Sequence, residues 1–170
     1  MYRLVKPDSS HEQAYLEFIR EWTDRNENIV PYSARLDGRG YTAFLMLQKD
    51  REDRSKIPAE FVVSSFYLFM EGNAIVGAVS IRHELNERLL MTGGHIGYGI
   101  RPTRRGEGLA KIMLSLALDK VRNLGIQEVL LTCYRDNLRS ARTIQACGGV
   151  KENEVLLDGK WEERYWITLE

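Results

Sequence analysis

The chain has 170 residues, and its 24 lysines and arginines are matched by 24 aspartates and glutamates, leaving no net charge. A chain of this length buries about two-thirds of its unfolded surface, enough for a single domain over residues 1–170. Charge neutrality excludes a global field that would hold the protein on nucleic acid or an anionic membrane, and two cysteines without metal-ligand spacing exclude a disulfide scaffold or zinc site.

Tyr2 to Lys6 reads as a short strand stopped by Pro7. Ser9 or Ser10 can cap a helix running to about Arg25, with Ala14, Tyr15, Phe18, Ile19 and Trp22 as its apolar stripe. A second helix is expected near Tyr41 to Lys49, followed by a charged loop from Asp50 to Pro58. These helices and loops form a plausible substrate-facing cap. Ser65 to Met70 and Ala74 to Arg82 are strands joined by the hairpin signal Glu71-Gly72-Asn73, and Gly94 to Ile100 completes the meander. The spacing of Leu109, Ile112, Met113, Leu116, Ala117, Val121 and Leu124 predicts a long helix that Gly125 ends. Glu128 to Tyr134 is a buried strand and Leu138 to Ala146 a short helix stopped by Gly148-Gly149. Val150 to Leu157 and Trp161 to Leu169 flank the hairpin turn Asp158-Gly159. The order β-α-α-β-β-β-α-β-α-β-β is that of a mixed α/β (α+β) domain. MYRLVKPDSS carries no apolar leader and no apolar run spans a membrane, so a cytoplasmic protein is the expectation.

The most informative stretch is GYGIRPTRRGEGLA, Gly97 to Ala110, where a strand gives way to a helix through glycines and adjacent arginines. It lacks the Lys-Ser/Thr of a phosphate-binding loop and the third glycine of a dinucleotide site. Helix N-termini nevertheless present unpaired N–H groups and partial positive charge, and small residues let a phosphate approach them. The plainer alternative is a tight turn with solvated arginines.

Arg105, Gly108 and Ala110 match, position by position, the Gln/Arg-x-x-Gly-x-Gly/Ala pattern of the general-control-related N-acetyltransferase (GNAT) superfamily. DNLRSARTIQACGG resembles that family's next motif, with Asn137 and Gly148 in register. The resemblance extends over Tyr2 to Leu169 and is weakest from 20 to 60. Its closest branch contains the ribosomal-protein N-terminal acetyltransferases. It implies an acyl-coenzyme A N-acyltransferase fold: a mixed, mostly antiparallel sheet flanked by helices, with splayed central strands. It further implies acetyl-coenzyme A as cosubstrate, its pyrophosphate cradled by the amides of Arg105, Gly106, Glu107, Gly108, Leu109 and Ala110. The pantetheine would pair with backbone near Tyr98, Ile100 and Arg101, and Asn137 would help hold the cofactor or merely cap its helix. The acceptor would be an amine-bearing small molecule or a protein N-terminus. A homodimer through the last hairpin, with Trp161, Tyr165 and Trp166, stands beside a core role for those residues.

Acetyl transfer to an amine requires removal of a proton and stabilisation of an oxyanion. His95, where relatives often carry glutamate, is a candidate base, against a reading as a packed strand residue. Glu84 is its competitor, and Tyr134 is a candidate proton donor or a packing aromatic. Many relatives carry a tyrosine at the position of Ile144 that protonates the departing thiolate. Its absence leaves open a non-catalytic acyl-coenzyme A sensor. Cys133 and Cys147 read as packing residues. An RNA-binding role has neither net charge nor an aromatic motif behind it.

Overall fold

A computed structural model describes all 170 residues. The chain runs β1 (Tyr2–Val5), α1 (Glu12–Asp24), α2 (Tyr41–Asp50), β2 (Ser64–Glu71), β3 (Ala74–Arg82), α3 (Glu87–Met91), β4 (Ile96–Ile100), α4 (Leu109–Asn123), β5 (Glu128–Tyr134), α5 (Leu138–Ala146), β6 (Val150–Leu157) and β7 (Lys160–Thr168). Each strand and longer helix lies where the residue pattern places it, within a few residues. The exception is α3, a single turn capped by the Asn86 side chain on the Leu89 amide. Its five residues are too few to show helical periodicity.

The strands form two antiparallel sheets, β1-β2-β3-β4 and β5-β7-β6. They abut at β4 and β5, the expected splay. Two cores lie on opposite faces of the first sheet. On one, α4 buries Leu109, Met113, Leu114, Ala117, Leu118 and Val121. They meet Val79, Ile81, Ile96 and Ile100 of the first sheet, Val129 and Leu131 of the second, and Ile144 of α5. This shared core is what fastens the two sheets. On the other face, Tyr15, Phe18 and Trp22 of α1 and Phe44 of α2 cover Phe66, Leu68 and Ala78. Each fully buried apolar side chain of this kind contributes about 1.5–3 kcal/mol.

Of the aromatic residues of the last hairpin, one is shown to have the core role expected of it. Tyr165 is core and Trp161 is exposed. No helix is long and apolar enough to cross a membrane.

The α1–α2 connection lies directly on β4. A Cβ at Gly99 would collide with the Val30 carbonyl, and one at Gly97 would stand 3.4 Å from Pro31 Cβ. Side chains alternate along β4, so Ile96 and Ile100 enter the α4 core while Gly97 and Gly99 face this strap. Gly99→Ala should therefore lift the strap from the sheet, lowering stability by about 1–3 kcal/mol in urea unfolding. An unchanged midpoint would mean that Val30 yields freely.

Candidate functional site

The joint between the sheets consists of very few bonds. The His95 amide donates to the Leu130 carbonyl (2.8 Å), the Leu130 amide donates back to His95 Nδ1 (3.0 Å), and the Gly93 amide donates to Thr132 Oγ1 (2.9 Å). Beyond His95 the ladder of β4 is with β3 alone. Arg101 N–H donates to the Val76 carbonyl, so antiparallel alternation turns the odd-numbered backbone groups of β4 toward β3. The N–H groups of Tyr98 and Ile100 then face the gap beside β5. The Ile100 carbonyl is occupied by Arg105 Nε (3.3 Å).

His95 consequently does a different task from the base expected of it. Its ring stands in for a backbone carbonyl, accepting the Leu130 N–H, which fixes the proton on Nε2 and leaves no lone pair to take up another. Burial, followed by the nearby charge of Arg82, pushes its pKa down to about 4. The sequence cannot show this, because Leu130 lies 35 residues away.

Next to the gap, α4 begins at Gly108, whose φ of +76° follows a φ of +85° at Gly106. These left-handed conformations explain the glycines. A Cβ on either would point into open space. The amides from Gly106 to Lys111 donate to no backbone carbonyl, and no side chain caps the helix, whereas Asn86 and Asn137 cap α3 and α5. The arrangement is a concave set of free N–H groups at the positive end of a 15-residue helix, the environment an anion requires.

The arginines beside it are neither free nor simply solvated. Arg101 pairs with Glu21 (2.6 Å), Arg104 with Glu71 (2.7 Å) and Glu107 (2.9 Å), and Arg105 with Glu27 (2.7 Å) while its guanidinium covers Trp22. Arg101 is also turned away from the gap, toward Ile75 and β3. The uncompensated positive potential there is that of the backbone. The side chain of Glu107, expected among the cradle residues, is taken up by Arg104; its N–H remains free.

Across the gap, Tyr98 reaches α5, its hydroxyl 2.9 Å from Ser140 Oγ, and burial pushes the phenol up to about 12. Asn137 Oδ1 accepts the Ser140 amide as a helix cap. Ile144 is fully buried in the core. Cys133 is buried, its thiol pushed up to about 11 by desolvation, which suits packing. Arg139 and Arg142 lie on the exposed face of α5. Glu84 is exposed just past β3, and Tyr134 is exposed at the end of β5 with Lys160 over its ring. Of the three catalytic candidates, His95 is thus buried and engaged, whereas Glu84 and Tyr134 are exposed. Sequence reasoning passed over Thr132, Ser140, the Val30–Pro31 strap and Arg82; only the alternating Gly97 and Gly99 hinted at a close approach to β4.

A family model described as an acetyltransferase (GNAT) domain matches residues 3–150. No curated protein matches the sequence. Among solved structures, RimJ of Mycobacterium smegmatis in complex with CoA-disulfide superposes with a TM-score of 0.72 at 16% identity, covering 98% of this chain and 81% of that one. The microcin C7 self-immunity acetyltransferase MccE, in complex with acetyl-CoA and AMP, gives 0.71 at 16% identity over 99% and 92%. A spermidine/spermine N-acetyltransferase SpeG from Vibrio cholerae gives 0.66 at 17% identity over 98% and 93%. At such identities these likenesses show the fold.

The His95 joint carries a pH signature. Its pKa is depressed on folding, so its contribution is complete above about 6.5 and is lost as pH falls toward about 4. Stability of the wild type should fall across that window by up to about 3 kcal/mol more than that of His95→Gln, which keeps an acceptor but cannot titrate. Parallel curves in calorimetry would show that the ring does not hold the joint.

Proposed function

The chain belongs to the GNAT acetyltransferase family, and we propose that it moves the acetyl group of acetyl-coenzyme A to a primary amine by direct attack in a ternary complex. The observation that carries this reading is the row of free amides at the start of α4, opening beside the unpaired edge of β4. The left-handed Gly106 and Gly108, with open space where side chains would be, fit a pyrophosphate against those amides. The relatives with bound acetyl-CoA or CoA-disulfide support the same choice of donor.

When bound, acetyl-coenzyme A supplies an activated thioester. The amides of Gly106 to Ala110 would hold its diphosphate, and the edge of β4 at Ile100, next to the start of α4, would pair with the pantetheine. The N–H of Tyr98, which faces the gap nearer the His95 joint, would stabilise the oxyanion formed as the amine nitrogen bonds to the carbonyl carbon. Collapse breaks the C–S bond. The amine's proton passes to water or to Glu84, which is exposed just past β3. Tyr134, at the open end of β5, is the hydroxyl available to the sulfur. With Ile144 buried, no family-type acid is required on α5, because a thiolate of pKa ~8.5 is a tolerable leaving group near neutral pH.

Gly108→Val would place a β-branched residue in a left-handed conformation and fill the space above the amides. Acetyl-coenzyme A affinity should fall at least about tenfold by calorimetry, with circular dichroism unchanged. Arg105→Ala, losing a surface ion pair of about 0–1 kcal/mol, should change it only a few-fold. Unaltered affinity in folded Gly108→Val would remove the cradle. Coenzyme A release above the hydrolysis blank with a panel of amines tests turnover. Tight binding without release across the panel would instead favour a non-catalytic acyl-coenzyme A-binding module, for which the engaged His95 and the buried Ile144 are the structural grounds.

A further inference from the structure

Arg82 ends β3 with a half-buried guanidinium that has no carboxylate partner. Its Nη1 donates to the carbonyls of Gly93 (2.9 Å) and Gly94 (3.1 Å), which uses both hydrogens of that nitrogen. Its Nε and Nη2 form no hydrogen bond to the protein. Burial lowers its pKa, and the charge bearing on it is that of Arg88, of the same sign. Arg101, Arg105 and Arg164 show the contrasting pattern, each resting on a glutamate: Glu21, Glu27 and Glu152. Desolvating an arginine without a counter-charge costs stability that the two carbonyl bonds offset only in part.

Its position gives that cost a use. A Cβ on Gly97 would lie 3.5 Å from Arg82 Nη2 and 3.4 Å from Pro31 Cβ, so guanidinium and strap flank Gly97 on the face opposite the α4 core. Gly97 is two residues past His95, the last joint to β5, and precedes Tyr98, whose N–H faces the gap. An acceptor amine approaching the acetyl group from beneath the strap passes this edge. The free Nε–H and one Nη2–H form the parallel fork that matches a carboxylate.

We propose that Arg82 is the anion-recognition residue of the acceptor site, and that the acceptor is a small amine bearing a free carboxylate, an amino-acid-like molecule rather than a polyamine or a peptide N-terminus. The inference rests on the acetyl-transfer reading and specifies its substrate class. A polyamine would bring a second cation to an uncompensated guanidinium, and a peptide N-terminus offers an uncharged carbonyl where the carboxylate should sit.

The test measures coenzyme A release by the full-length enzyme with a panel of amino acids, the matching carboxamides, and spermidine. The acids should exceed their amides in kcat/KM by about tenfold to a hundredfold, with spermidine lowest, as loss of a charge-assisted pair implies. Arg82→Gln should bring the acid-to-amide ratio close to one, chiefly through KM for the acids, and Arg82→Lys should keep part of it. Amides or spermidine used as well as the acids, or an Arg82→Gln that lowers acids and amides alike, would overturn the proposal and leave Arg82 as a clamp on the Gly93–Gly94 turn. If Arg82→Gln does not fold, the wild-type ratio decides. Release with no member of the panel would defeat the acetyl-transfer reading itself and this proposal with it, whereas turnover of amides alone defeats only the role of Arg82.

Discussion

The rest of the structure depends on the abrupt end of pairing between β4 and β5. His95 with Leu130, joined by the bond from Gly93 to Thr132, supplies the joint, and from there onward two strand edges stand apart over a common helical core. Unpaired backbone edges inside a domain are costly, and proteins ordinarily cover them. Here the shared core under α4 holds the edges open, since Ile96, Ile100, Val129 and Leu131 bury against the same helix. The chain leaves β4 and turns at once into α4, so the opening between the sheets and the row of free amides are adjacent by connectivity. A ligand with an anionic end and an amide-bearing arm satisfies both. One of the joint's bonds is made by a side chain, so the depth at which the sheets part depends in part on one imidazole remaining neutral.

Electrostatics in this neutral chain are local. Around the start of α4, glutamates from α1 and the segment after it, from the end of β2 and from the turn itself hold the arginines, so positive potential for an anion comes from backbone dipoles. Such exposed or half-exposed pairs contribute little to stability and orient the loop. At the other end of β4 the balance reverses. Arg82 has carbonyls for partners and no carboxylate, and its charge adds to the burial that depresses the pKa of His95. The protein thus keeps its arginines compensated near the expected diphosphate and leaves one uncompensated near the expected acceptor.

Much of this was legible in the sequence because it is local. Hydrophobic period, caps and turn residues place the strands and longer helices, and Gly106 and Gly108 mark a strained turn at a helix start whatever its ligand. The roles that eluded it are set by contacts distant in sequence. His95 looks like a base until Leu130 is seen to occupy its ring. Arg105 looks free until Glu27 and Trp22 are folded against it. Gly99 carries no side chain because the space beside it belongs to Val30, far from it in sequence. Asn137 had two readings; the structure shows its side chain capping α5, and a second role at the cofactor stays with the proposed function.

Amide hydrogen exchange read residue by residue, with and without acetyl-coenzyme A, tests the central claim most directly. The account predicts that the cofactor protects Gly106 to Ala110 at the start of α4 together with Tyr98 and Ile100 on the open edge of β4, while Leu130, already bonded to His95, changes little. Protection confined to other surfaces, with these amides exchanging at their ligand-free rates, would contradict it.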